Sequence, residues 1–183
     1  MIDVMRHGDT GQPSYRGQLD DPLSETGWRQ VRAAVVARQW DRIVSSTLRR
    51  CADFAGELAA QRGLPLTLDA RLVEYAYGDW QGVPIAELER RDPVALQRYW
   101  EDPARYPPPN GEPLAAFGAR VAAAFDDIAR AWPHERVLVV THGAVIRWLR
   151  CRLEGRPYDD MIGMDVPNAS LHRIAWPPVE VPA

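Results

Sequence analysis

Lysine is missing from this chain. All 22 basic residues among its 183 are arginine, and 25 acidic residues leave a net charge of −3. Without a basic surplus the chain is a poor candidate for nucleic acid or an anionic membrane surface, since either needs a clustered positive face. Most of these arginines are therefore read as solvated surface. Cysteine is scarce too: Cys51 and Cys151 lie far apart, with no CxxC or Cys/His spacing near either. That pattern argues against a structural zinc site and for free buried thiols in a reducing compartment. No apolar run approaches the roughly 20 residues that span a bilayer. The opening Met1-Ile2-Asp3-Val4-Met5 leaves no room for a signal peptide, so a cytoplasmic location is expected. Repeats, low-complexity tracts and clustered metal-ligating carboxylates are lacking as well, and neither metal nor cofactor is expected. What is present is an ordinary globular balance, 46% hydrophobic and 26% charged, at a length suited to one domain over residues 1–183.

Short apolar segments alternate with amphipathic ones. Residues 2 to 5 read as a buried strand that runs into Arg6-His7-Gly8. Ser24 can cap a helix in which Val31, Ala34, Val35 and Arg38 fall at helical spacing. Residues 42 to 46 predict a second strand, and residues 47 to 62 a helix stopped by Gly63-Leu64-Pro65. A weak strand at 66 to 68 precedes an irregular stretch from 70 to 83. Residues 84 to 112 form an insertion, with one or two short helices up to Trp100 and a stretch too rich in proline for regular structure from Asp102. A long amphipathic helix covers Pro113 to Trp132. The unbroken run Val137-Leu138-Val139-Val140 suits a strand covered on both faces. A helix from Ala144 to Leu153, a last strand from Leu171 to Trp176 and a proline-rich tail complete the reading. The alternation predicts an α/β fold, a three-layer α/β/α sandwich around a largely parallel central sheet.

Two His-Gly pairs, His7-Gly8 and His142-Gly143, each follow a predicted buried strand. Ligands of open α/β sheets bind beyond the carboxyl ends of such strands, so both histidines are expected in one crevice. A helix beginning near Ala144 would aim its N-terminal amides there, which favours an anion. Arg6 adjoins His7, and Ser46-Thr47-Leu48-Arg49-Arg50 brings a further arginine, whose planar fork suits phosphate. Two arginines and two histidines then make a pocket of four cations.

At these residues the chain resembles the histidine phosphatase superfamily, the phosphoglycerate mutase-like proteins. Arg6-His7-Gly8-Asp9-Thr10 is similar to that family's RHG(E/D)T signature. Matching segments follow in order: Arg16-Gly17-Gln18, Pro22 to Gly27, Ser45 to Arg50, Leu72-Val73-Glu74 with Gly78 to Gly82, Asn110-Gly111-Glu112 and Val139 to Gly143. The resemblance implies that His7 is phosphorylated as nucleophile, that Arg6, Arg50 and His142 bind the phosphoryl oxygens, and that Glu74 is the acid and base. Thr10, Gln18, Gly143, Tyr75 and Tyr77 join the expected substrate-binding set. Where the family often has asparagine this chain has Pro13, and Gln18 or Thr10 is expected to supply the contact. In place of the common RAxQT stands Arg50-Cys51-Ala52-Asp53-Phe54.

The implied activity is metal-independent hydrolysis of a small-molecule phosphate monoester through phosphohistidine. Chain length, the Gly78-Asp79-Trp80 run and the Trp100 to Glu112 stretch are most similar to the α-ribazole 5'-phosphate phosphatases of cobalamin biosynthesis. Two alternatives stand beside that reading: phosphoglycerate mutase-type phosphoryl transfer, and a non-catalytic binding module. A homodimer is compatible with either. Arg49 competes with Arg50 for phosphate, and His134 and His172 are expected to be structural. Tyr75, Tyr77, Trp80, Trp100 and Tyr106 divide between core packing and a substrate mouth. Ser46, Thr47 and Ser170 lack the elbow motif of a serine nucleophile.

Overall fold

The computed structural model describes residues 1–177. A five-stranded sheet runs in the order β3-β2-β4-β1-β5. Its strands are β1 (Ile2–Arg6), β2 (Arg42–Ser45), β3 (Leu66–Leu68), β4 (Val137–Thr141) and β5 (Leu171–Ile174). The first four are mutually parallel, and β5 pairs antiparallel with β1 at one edge. The largely parallel sheet read from the sequence is thus observed. Every residue of β4 is buried, as its central place and unbroken apolar run require.

Among the described residues six α-helices, α1 (Glu25–Val35), α2 (Arg49–Arg62), α3 (Ile85–Arg91), α4 (Pro93–Glu101), α5 (Leu114–Ala131) and α6 (Gly143–Glu154), accompany the sheet. Val31 and Val35 of α1 and Phe54, Ala55 and Leu58 of α2 join Met5, Ile43, Leu138 and Val140 in one apolar cluster. Val121, Phe125 and Ile128 of α5 and Val145 and Leu149 of α6 join Val4, Val44, Val137 and Val139 in the other. Strand residues of alternate parity thus feed opposite faces, which is the pleat at work. Phe117 and Phe125 are fully buried, and truncating either should cost about 3–5 kcal/mol.

Local chemistry sets the ends. The Ser24 side chain accepts from the Gly27 amide at 3.0 Å, capping α1 as expected, but the helix stops at Val35 and leaves Arg38 exposed. Gly63 and Gly155 close α2 and α6 in the left-handed conformation, with φ of 64° at each. The 84–112 insertion holds two short helices where the sequence suggested one or two, with Asp92 capping α4 and Pro93 opening it at no cost. Only the stretch after Glu101 lacks helix or strand, up to the start of α5. The last strand ends at Ile174, short of Trp176, whose indole Nε1 instead donates to Asp126 at 2.7 Å. Apart from Pro177, the proline-rich tail lies outside the described residues. Among them, no helix is long and apolar enough to cross a membrane.

Candidate active site

Parallel pairing of β1 with β4 aligns Arg6 with Thr141, so His7 and His142 emerge side by side where the two strands end. The ladder continues one step further, with the His7 amide donating to the Thr141 carbonyl at 2.9 Å. The two rings meet edge to face with centroids 5.2 Å apart. Gly8 is needed because a Cβ there would lie 2.4 Å from the Gly27 carbonyl oxygen; one on Gly27 would lie 2.1 Å from that of Asp9. The turn carrying His7 is therefore pressed backbone to backbone against the first turn of α1.

His7 is 9% exposed. Its Nδ1 lies 2.7 Å from the Gly8 carbonyl, an oxygen that can only accept, so the proton sits on Nδ1 and Nε2 carries the lone pair. Burial first, then the charges of Arg50 and Arg6, pull its pKa down to about 3. The ring is thus neutral and nucleophilic near neutral pH.

Arg50, 1% exposed, donates through Nη1 to Leu19 O and Nη2 to Gly17 O, both at 2.6 Å, and through Nε to His142 Nδ1 at 3.2 Å. Arg6 Nη1 donates to the Val166 carbonyl, while its buried Nε has no partner. That Nε is the kind of donor an anion would satisfy. Arg147 of α6 donates through Nε to Met164 O at 2.8 Å. The hydrogen bonds these three guanidiniums make go to carbonyls and a ring nitrogen and none to a carboxylate, which leaves their charge for a ligand. Arg16 differs, since Asp21 holds it in a two-pronged ion pair.

The expected pocket of four cations is corrected by this geometry. His142 is fully buried, and burial, Arg50 and His7 hold its pKa well below the ordinary range, so neither histidine contributes charge. With Nδ1 accepting from Arg50, His142 Nε2 donates to Ser46 Oγ at 2.7 Å. Both ring nitrogens are engaged, and contact with a phosphoryl oxygen requires exchange of one of them. The α6 N-terminus is corrected likewise: its Ala144 amide donates to the Glu74 carboxylate, at 3.1 Å to Oε1 and 3.3 Å to Oε2. A carboxylate already occupies the positive end of that helix.

A cavity of about 450 Å³ is lined by Arg6, His7, Thr10, Arg50, Glu74, Tyr77 and Gly143, all expected from the sequence. Gln18, Tyr75 and His142, which were expected there too, do not line it; His142 lies fully buried behind Arg50 and Ser46. Gln18 turns its side-chain amide to the Glu74 carbonyl at 3.2 Å. Tyr75, 2% exposed, packs edge-on against Phe117 and Tyr77, so its ring is spent on the core and not on the mouth. Arg49 pairs with Asp53 on the exposed face of α2, which leaves Arg50 alone inside. Missed were Tyr15, Asn168, Arg16 and above all Arg147. Arg147 follows Gly143 by four residues, so one turn of α6 puts both on the same face, a signal that was readable. Gly143 also makes room, since a Cβ there would lie 3.1 Å from Arg147 Nη1 and 3.5 Å from Arg6 Nε.

Comparison with known proteins agrees with this geometry. Residues 2–180 match the family model of the Histidine phosphatase superfamily (branch 1). The glucosyl-3-phosphoglycerate phosphatase of Mycolicibacterium vanbaalenii is 35% identical over 170 residues, 86% of this chain and 75% of that protein. Among solved structures, Bacillus stearothermophilus YhfR superposes with a TM-score of 0.85 at 27% identity, over 96% of this chain and 91% of that one. The alpha-ribazole phosphatase from Shigella flexneri does so with a TM-score of 0.79 at 25% identity, over 93% and 87%. With its His-Gly pairs at adjoining strand ends and arginines around them, the chain belongs to the histidine phosphatase superfamily, branch 1, and is a phosphatase of that family.

Proposed function

We propose that the protein hydrolyses a small-molecule phosphate monoester, without a metal, through phosphohistidine at His7. One observation carries this reading: a neutral imidazole with Nε2 unprotonated shares a cavity with three arginines not paired to carboxylates. In the first step the Nε2 lone pair forms the N–P bond as the ester P–O bond breaks, and protonated Glu74 gives its proton to the departing alkoxide. In the second, the Glu74 carboxylate takes a proton from water, the hydroxide attacks phosphorus, and the N–P bond breaks to restore His7. Arg6 and Arg50 balance the charge on the equatorial oxygens throughout. Because these side chains supply the positive charge, activity is expected to survive EDTA. Loss on chelation that added metal restores would refute metal independence.

The leaving group is an anionic one, of the phosphoglycerate type. Arg147 supports this, being a third guanidinium in the cavity beyond the two assigned to phosphate. The M. vanbaalenii relative is a glucosyl-3-phosphoglycerate phosphatase by name. The alternative, α-ribazole 5'-phosphate, draws support from Tyr15 and Tyr77 in the cavity wall. Those two rings stack on each other at 4.4 Å, however, and Trp100 spends its indole N–H on the Tyr15 hydroxyl, which leaves little aromatic face for a base. Direct competition decides: kcat/KM for the phosphoglycerate ester should exceed that for α-ribazole 5'-phosphate. Arg147→Met should then lower the former by about 10-fold or more, the worth of one charge-assisted contact. A preference for α-ribazole 5'-phosphate that Arg147→Met leaves intact would reverse the assignment.

A further inference from the structure

Glu74 stands on a segment with no regular structure to hold it. Between the 3-10 turns Ala70–Leu72 and Gly78–Trp80 there is neither helix nor strand, yet the backbone carbonyls of residues 71 to 74 all accept hydrogen bonds from side chains. Thr141 Oγ1 donates to Leu72 O at 2.8 Å. Arg120 of α5 takes the other three: Nη1 donates to Arg71 O at 2.6 Å and Val73 O at 2.8 Å, and Nη2 to Glu74 O at 3.0 Å. The same guanidinium is locked by Glu112, through Nε to Oε1 at 2.7 Å and Nη2 to Oε2 at 2.9 Å. Glu112 also grips the segment by its backbone, its amide donating to Ala76 O at 2.9 Å. Every Arg120 nitrogen is thereby spent, none of it on the cavity, which Arg120 does not line.

We infer that Arg120, oriented by Glu112, is a positioning residue that holds Glu74 where its carboxyl meets the leaving-group oxygen. The inference rests on Glu74 being the proton donor. A planar fork held at one edge by a carboxylate can present several N–H groups to consecutive carbonyls at fixed angles, which a lysine ammonium cannot. General acid catalysis needs donor and acceptor within hydrogen-bond reach, so a small displacement of the segment removes the proton transfer while sparing attack by His7.

The test uses two esters, an alkyl phosphate such as β-glycerophosphate, whose alkoxide needs a proton, and 2,4-dinitrophenyl phosphate, whose phenolate does not. Glu74→Gln calibrates the assay and should lower kcat for the alkyl ester by about 100-fold or more while the aryl ester changes far less. Arg120→Ala, with folding checked by circular dichroism, should show the same selective loss. Arg120→Lys keeps the charge and the Glu112 pair but reaches fewer carbonyls, so it should fall between and serves if the alanine variant does not fold. Equal losses for both esters in a folded Arg120 variant, beside a selective loss in Glu74→Gln, would overturn the positioning role. Equal losses in Glu74→Gln itself would instead place the proton donor elsewhere.

Discussion

His7→Ala is expected to lower turnover by about 10⁴-fold or more, a loss of the size seen when a covalent nucleophile is removed while the surrounding charge remains. Rapid acid quenching of wild-type protein with a labelled monoester should leave no stable label, whereas quenching in base should trap phosphate on His7. Acid-labile, base-stable attachment is the behaviour of a phosphorus–nitrogen bond. Label on serine or aspartate would end the mechanism. The prediction depends on the proton sitting on Nδ1, where the Gly8 carbonyl holds it, for a ring with Nε2 protonated would have no lone pair to offer. It also depends on the ring being neutral, which burial and the neighbouring guanidiniums of Arg50 and Arg6 secure.

The same neutrality has a cost in acid. His7 titrates at about 3 in the folded chain against 6.5 as its ordinary value, so between those limits the unfolded chain binds a proton that the folded chain refuses. Stability contributed by the neutral ring is therefore present above the ordinary value and is lost as pH falls toward 3. The loss for His7 alone is about 4–5 kcal/mol over the whole window, a large share of the 5–15 kcal/mol typical of a domain. His142, depressed for the same reasons, adds to it in the same direction. Asp21 and Asp69, held low by Arg16 and Arg71, lose their contribution only further into acid. Urea midpoints measured at pH 7.5, 6.0 and 5.0 should therefore fall steadily, and less steeply in His7→Gln. A midpoint that does not move down to pH 5.0 would show that the histidines are not held neutral.

Much of this was written in short-range patterns. The run 137–140 and the segment 2–5 announce buried strands because neither interrupts its apolar character, and the His-Gly pairs that follow them fall where parallel strands deliver side chains to one rim. Ser24 and Gly63 act within a turn of themselves, so these ends were readable to within a residue or two. What escaped depended on direction. Whether Tyr75 faces the cavity or the core is settled by Phe117, a residue distant in sequence that packs against its ring. The capture of the Ala144 amide by Glu74 joins residues 70 positions apart across an irregular segment, where no period exists to predict orientation. The charge states of the histidines hinge on burial, which spacing alone does not measure.

One modest feature divides the labour of the molecule. Outside the named strands, Ser14 and Pro84 form an isolated antiparallel bridge, joining the segment after His7 to the start of the helical insertion. Tyr15 lies on one side of that seam and Ile85 on the other, and both face the cavity. The groups assigned to phosphorus stand at strand ends and helix starts around the central sheet, whereas, Arg147 of α6 apart, much of the wall that would meet the rest of the substrate is sewn together here, on segments the sheet does not fix. Substrate choice can then drift, in evolution or by design, through paired changes at residues 11–16 and 83–86 that leave the transferring machinery untouched. A library randomised at those positions should yield altered preferences among esters far more readily than altered rates on a minimal one.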